Sequence, residues 1–122
     1  MLDVQLKKAH VYTDQDNVFI CEYKDHVMIN PSDVQDVIDT YDNYHDGEDL
    51  KVMLIFPKNT DVSSAARQLA EQREKPALAE ALVIESTMQR ILFKFYKRSR
   101  KVAYPIKEFA NREDALRWLH NR

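Results

Sequence analysis

The segment LKVMLIF, Leu50–Phe56, decides the fold, because its last five residues are all apolar. A continuous apolar run of this length, bounded by polar residues, predicts a strand that is covered on both faces of a sheet. The next residues, PKNT at 57–60, end the strand, and a capped helix is predicted to start near Asp61. Open α/β sheets usually place their functional site where a buried strand leads into a helix N-terminus. The segment from Leu50 to Ala70 is therefore the first candidate for a site.

Outside this segment, the chain alternates strands with helices. An N-terminal antiparallel hairpin is predicted from an edge strand through Val4, Leu6 and Val11 and a second strand at Val18–Tyr23. Two more strands are predicted at 81–84 and 102–109, and four helices start at Asn30–Pro31, near Asp61, at Ser86 and at Asn111. The order β-β-α-β-α-β-α-β-α implies right-handed crossovers and a mixed, mainly parallel sheet of about five strands.

Three of the helices have recognisable faces. In the first, four apolar residues fall on one face and the acidic residues are expected largely on the outer side. The apolar residues are Val34, Val37, Ile38 and Tyr41, and the acidic residues are Asp33, Asp36 and Asp39. The third helix starts with a capping box, Ser86 followed by Gln89, and presents Met88, Ile91, Leu92 and Phe95 on one face. The fourth is capped by Asn111 and buries Ala115, Trp118 and Leu119.

Composition favours one globular domain over residues 1–122, since 44% of the residues are hydrophobic and 31% are charged. The single glycine argues against a glycine-rich phosphate loop, which needs several such residues. The single cysteine, Cys21, lies in a predicted buried strand and cannot form an internal disulfide. No apolar run approaches the roughly 20 residues that span a bilayer, and residues 1–10 do not resemble a signal peptide. A cytoplasmic location is therefore expected.

The charges are distributed unevenly, although the net charge is only −2. Between Asp14 and Asp49 there are eleven acidic residues and one base, Lys24. Between Ser86 and Lys107 there are seven bases and no acidic residue. Such asymmetry is informative about association with a partner rather than about the fold. The alternative interpretation is that both charged faces are simply solvated.

The segment YPIKEFANREDALRWL, Tyr104–Leu119, resembles the closing motif of the SpoIIAA-like group, which is related to STAS domains and to the CRAL-TRIO lipid-carrier fold. In that group an apolar strand ends in a Phe, a capped helix follows, and an Ala and a Trp-Leu pair close the core. The segment ALVIES at 81–86 and the helix after it resemble the same group. The resemblance implies a mixed sheet with helices packed mainly on one face, and many members of the group lack a known activity.

The resemblance also draws attention to Ser63 and Ser64. STAS regulators are phosphorylated on a serine in an Asp-Ser context at the start of the helix after the central strand. Ser63 and Ser64 follow Asp61 in the comparable region, although Val62 intervenes and the usual glycines are missing. Two interpretations follow: a phosphorylation switch at either serine, or a simple helix cap by Asp61 or Ser63.

The third helix is the stronger candidate for a binding surface. Its bases Arg90, Lys94, Lys97 and Arg98 are interleaved with the aromatic residues Phe93 and Tyr96. This pattern suits an acidic protein, a second copy of the chain or an anionic membrane surface. In the alternative interpretation, the two aromatic residues cover the edge of the core. Nucleic acid is not expected, because the basic stretch is short and the rest of the chain is acidic.

No catalytic residue, metal or cofactor is predicted. The histidines are scattered without metal-binding spacing, and the acidic loop that starts at Asp42 lacks calcium ligands at its third and twelfth positions. The first functional hypothesis is a non-catalytic STAS-like regulatory or protein-interaction module, expected to self-associate. The second is a carrier or sensor of a lipid or other apolar ligand, with a pocket between the sheet and the third helix.

Overall fold

The computed structural model describes residues 1–72, 76–91 and 104–122. The strands are β1 (Asp3–Gln5), β2 (Ala9–Thr13), β3 (Phe19–Tyr23), β4 (Met28–Ile29), β5 (Leu50–Phe56), β6 (Asp61–Val62), β7 (Ala77–Ile84) and β8 (Ile106–Phe109). The helices are α1 (Pro31–His45), α2 (Ser64–Gln72), α3, described over residues 87–91, and α4 (Arg112–His120).

Over the described residues, the main sheet has six strands in the order β1-β2-β3-β5-β7-β8. The first three strands are antiparallel to one another, and β3, β5, β7 and β8 run parallel. The predicted buried strand is confirmed as β5, which lies between β3 and β7, with Leu54 opposite Cys21 on one side and Leu82 on the other. Cys21 is buried within β3. The mixed sheet with antiparallel strands at its start is thus the predicted architecture.

The predicted number of strands was too small. The region expected to form one edge strand folds into β1 and β2, because the chain turns at Leu6 and Ala9, whose backbone groups share a hydrogen bond of 2.8 Å. In addition, β4 and β6 pair in parallel as a separate two-stranded sheet, with Ile29 opposite Val62. A strand of two residues is too short to show the alternation of apolar and polar residues by which strands are recognised in a sequence.

Helices cover both faces of the main sheet. On one face, α1 and α2 pack through Val37, Tyr41 and Ala66 onto side chains of β2, β3, β5 and β7. On the other face, α4 packs through Ala115 and Leu119, both with no exposed surface, onto Met53, Ile55 and the small residues of β7. Alternating residues of the central strands therefore serve two separate cores.

The start of α1 differs from the prediction in one respect. Asn30 is the N-cap residue and Pro31 the first helical residue, as expected. Asp33, predicted to lie on the outer side, is only 7% exposed. Its Oδ2 atom accepts hydrogen bonds from the Asn30 backbone N–H (2.8 Å) and from Lys8 Nζ (2.9 Å). The carboxylate is thus buried because it closes the helix start and pairs with a base of the β1–β2 connection.

The start of α4 agrees with the prediction. The Asn111 side chain accepts a hydrogen bond of 2.9 Å from the backbone N–H of Asp114. β8 lies at the edge of the sheet, preceded by Pro105, which also agrees with the sequence. Within the described ranges, no helix has both the length and the apolar character that a membrane crossing requires.

Candidate functional site

The start of α2 uses Ser63 as its cap. Ser63 Oγ accepts a hydrogen bond from the backbone N–H of Ala66 (3.1 Å), and its carbonyl accepts one from the N–H of Arg67 (3.0 Å). α2 begins at Ser64 rather than near Asp61, because Asp61 and Val62 belong to β6. The capping interpretation is therefore confirmed for Ser63.

Ser64 occupies a more open position than Ser63. Ser64 is exposed, whereas Ser63 is partly buried. Ser64 Oγ accepts a long hydrogen bond of 3.4 Å from Arg67 Nη2. A phosphate on Ser64 would lie beside a guanidinium and near a helix N-terminus, which both favour negative charge. Phosphorylation of Ser63 or Ser64 stays a prediction.

The first turn of α3 is fixed to the β5–β6 connection by Gln89, which is 7% exposed. The backbone N–H of Gln89 donates to Ser86 Oγ (3.3 Å), as the capping box predicts. Its side chain does not reach back to Ser86, however. Gln89 Nε2 donates instead to the carbonyl of Thr60 (3.1 Å) and to Asp61 Oδ1 (2.9 Å). The sequence offered no signal for this contact, since a glutamine at this position is equally typical of a capping box.

The orientation of Gln89 exposes two apolar residues. Met88 is 74% exposed and Ile91 is 54% exposed, so these two members of the predicted apolar face of the third helix are not buried in the core. With Gln89 held against Thr60 and Asp61, the side of the turn that carries Met88 and Ile91 faces solvent. Arg90 lies between them in sequence and donates from Nη2 to Thr87 Oγ1 (3.2 Å). The other predicted surface residues lie outside the described residues; they are Phe93, Lys94, Tyr96, Lys97 and Arg98.

An apolar cavity of about 60 Å³ lies between the sheet, α1 and α2. Phe19, Phe56 and Leu82 line it from the sheet, and Val37 and Ala70 line it from the helices. Among the described residues of this lining, Arg67 is the one that is charged, and its Nη1 atom donates to the carbonyl of Val62 (3.1 Å). This cavity is not the predicted pocket between the sheet and the third helix, because most of that helix lies outside the described residues.

A second, more polar cleft of about 380 Å³ opens at the carboxyl ends of β5 and β7, beside the start of α4. Its buried lining includes Ile55 and Val83, and the charged residues of its described lining are Glu22, Glu85, Arg112 and Glu113. Arg112 Nη2 lies 2.6 Å from Glu22 Oε1, so the guanidinium compensates one of the three carboxylates. The cleft lies near the end of Leu50–Phe56, where a site was expected, but it is lined by the start of α4 and not by α2; a functional site here stays a prediction.

The fold is similar to that of an uncharacterised protein of the DUF3478 family from Shewanella loihica PV-4, which is described as having a SpoIIAA-like fold. The TM-score is 0.66 at 15% sequence identity, and the match covers 98% of this chain and 99% of that chain. This chain accordingly has a SpoIIAA-like fold, as its closing motif predicted.

The family follows from the sequence. Residues 12–122 match the model of a domain of unknown function, DUF7793, and the chain belongs to that family. A protein of unknown function from Arthrobacter sp. FB24 matches over 98% of both chains, with 18% identity and a TM-score of 0.37. No curated protein matches the sequence.

Proposed function

We propose that this protein is a non-catalytic regulatory module of STAS type that acts by protein–protein contact through a surface beginning at α3. The supporting observation is the exposure of Met88 and Ile91 within a single helical turn. Two large apolar side chains on one turn form a small apolar patch, and covering this patch with another surface would be favourable. Arg90 adds a positive charge to the same turn.

The partner we propose is a second copy of the chain, because the molecule carries an acidic surface that could bind the basic segment containing α3. The outer side of α1 and the loop after it form an acidic face, which consists of the exposed residues Asp36, Asp39, Asp42, Asp46, Glu48 and Asp49. Residues 86–107 carry seven bases and no acidic residue. Two equivalent contacts, each joining α3 of one copy to the acidic face of the other, would close a two-fold dimer.

Replacing Ile91 with glutamate is expected to weaken self-association by at least roughly tenfold, because it introduces a charge into the apolar part of the contact. Leu78→Glu is the matched control, since Leu78 is also 54% exposed but lies on β7. Association is measured by light scattering over a series of protein concentrations, and thermal unfolding confirms that both variants are folded. The proposed surface is contradicted if both substitutions weaken association equally, or if Ile91→Glu does not weaken it.

The cavity favours a second candidate function, the sensing of a small apolar ligand. Two reference volumes indicate what the cavity could hold. A single water molecule needs a cavity of about 10–15 Å³, and a dry engineered cavity of about 150 Å³ binds benzene. At about 60 Å³ the cavity suits a short aliphatic group rather than a whole lipid. Arg67 in the lining would pair with an anionic head group, so a short-chain carboxylate is the ligand class we propose.

Ala70→Leu is expected to abolish the binding of butyrate, because Ala70 lines the cavity and the larger side chain fills it. Ala65→Leu is the matched control, since Ala65 is an exposed residue of the same helix. Binding is followed by chemical-shift changes of the cavity residues during titration with butyrate. Retained binding in the Ala70 variant, or the lack of any shift in the unmodified protein, contradicts this function.

A further inference from the structure

We propose that Asp14, Asp16 and His120 form a binding site for a divalent transition-metal ion of the Zn²⁺ class. The two aspartates lie in the β2–β3 turn, and the histidine ends α4. One ligand atom from each of the three side chains lies within 4.8 Å of the others. The fold therefore joins residues from opposite ends of the chain, which is why spacing in the sequence did not reveal the group.

The separations suit a shared ion. His120 Nε2 lies 3.2 Å from Asp16 Oδ2 and 4.0 Å from Asp14 Oδ2. Bonds of about 2.0–2.2 Å from Zn²⁺ to nitrogen and oxygen place neighbouring ligand atoms roughly 3 to 4 Å apart. The three atoms need only small side-chain adjustments to surround one ion.

The fold constrains the Asp14 carboxylate and the backbone position of His120. Asp14 Oδ1 accepts the backbone N–H groups of Asp16 (2.9 Å) and Val18 (3.0 Å), which leaves Oδ2 directed at His120. The backbone of His120 is positioned by the preceding residue, Leu119, which is completely buried against the sheet. A site whose ligands are fixed beforehand loses less conformational entropy when the ion binds.

The charge of the group also favours a cation. Among the described residues, the ion pairs of both Asp14 and Asp16 are with His120 alone, so two carboxylates share one imidazole. Even a protonated imidazole would compensate only one of the two negative charges. A divalent ion compensates both, and it binds the neutral imidazole that a transition metal prefers.

The combination of one imidazole and two carboxylates indicates the class of metal. Mg²⁺ and Ca²⁺ prefer oxygen ligands only, whereas Zn²⁺ accepts both nitrogen and oxygen. Three protein ligands leave at least one position for water, and the partial exposure of all three side chains gives the ion access. Bound metal would tie the end of α4 to the β2–β3 turn.

The test uses the full chain, purified without a polyhistidine tag and freed of metal by a chelator. Titration calorimetry with Zn²⁺ is expected to show one ion per chain, with binding to Mg²⁺ weaker by at least roughly a hundredfold. His120→Ala and Asp16→Asn are each expected to weaken Zn²⁺ binding by at least roughly tenfold. Zn²⁺ is also expected to raise the melting temperature of the unmodified protein and not that of the two variants.

His10→Ala is the matched control, because His10 Nε2 lies 2.7 Å from a single carboxylate, Asp3 Oδ1, and should not bind the ion tightly. An unchanged affinity in this variant, with losses in the other two, supports the site. The lack of stoichiometric binding overturns the proposal, and so does an equal loss of affinity in the His10 and His120 variants. Each variant's melting curve without metal verifies that it is folded.

Discussion

Replacing Tyr41 with alanine is expected to lower the free energy of unfolding by about 4 kcal/mol, the largest effect we expect of a single substitution. Tyr41 is completely buried at the α1 side of the sheet. Its ring packs edge-on against Phe19, with ring centres 5.0 Å apart, and stacks on His45 at 4.8 Å. Truncation would leave a cavity where α1 contacts β3.

The hydroxyl of Tyr41 adds a separate contribution. It donates to the carbonyl of Pro76 and accepts the backbone N–H of Leu50 at 3.1 Å, so it links the starts of β5 and β7. Burial raises the pKa of this hydroxyl, which keeps it protonated and able to donate. Tyr41→Phe removes only these hydrogen bonds and is expected to cost about 1–2 kcal/mol.

Urea denaturation measures both variants, with the midpoint expected to fall and the slope to stay constant. Tyr44→Phe is the control, because the Tyr44 hydroxyl donates to Asn17 at the surface (2.8 Å) and its loss should change stability by less than about 0.5 kcal/mol. A loss below about 1 kcal/mol for Tyr41→Ala would contradict the role of this residue in the core.

The second large effect is expected at Asp33, where alanine should cost about 2–3 kcal/mol because two charge-assisted hydrogen bonds are lost. One comes from Lys8 and the other from the Asn30 backbone at the start of α1. Asp33→Asn keeps an acceptor for Asn30 but removes the charge that pairs with Lys8, so a smaller loss is expected. Asp36→Ala is the control, since Asp36 is exposed on the same helix.

The contribution of the Asp33 charge should depend on pH. Burial acts to raise the pKa of this carboxyl, but the hydrogen bonds from Lys8 and Asn30 outweigh it and hold the pKa below its ordinary value. The charge therefore stabilises the fold above about pH 3.9, the ordinary aspartate pKa, and this stabilisation is lost as pH falls through the lower folded value. The stability difference between the unmodified chain and Asp33→Asn should shrink in that acidic range. A difference that stays constant from neutral pH into that range would contradict the ion pair.

Local sequence signals were sufficient to predict β5, α1 and α4. The apolar run of β5, the i, i+3, i+4, i+7 pattern of α1 and the Asn111 cap of α4 are local signals, and each produced the predicted structure. The sequence also predicted the SpoIIAA-like fold from the segment that forms β8 and α4.

Side chains with distant partners could not be predicted. Asp33 and Gln89 are polar residues at helix starts, where both typically face solvent, and each is buried by a contact with a residue at least 25 positions away. The grouping of His120 with Asp14 and Asp16 likewise depends on how α4 packs against the sheet. No local pattern encodes such contacts.

Sedimentation velocity of the unmodified chain, at increasing protein concentration and at low and high salt, tests the proposed self-association most directly. We expect the mass at low salt to rise from 14.4 kDa towards twice that value, and high salt to shift the transition to higher concentration. A mass of 14.4 kDa at every concentration in both buffers would contradict the proposal that α3 of one copy binds the acidic face of another.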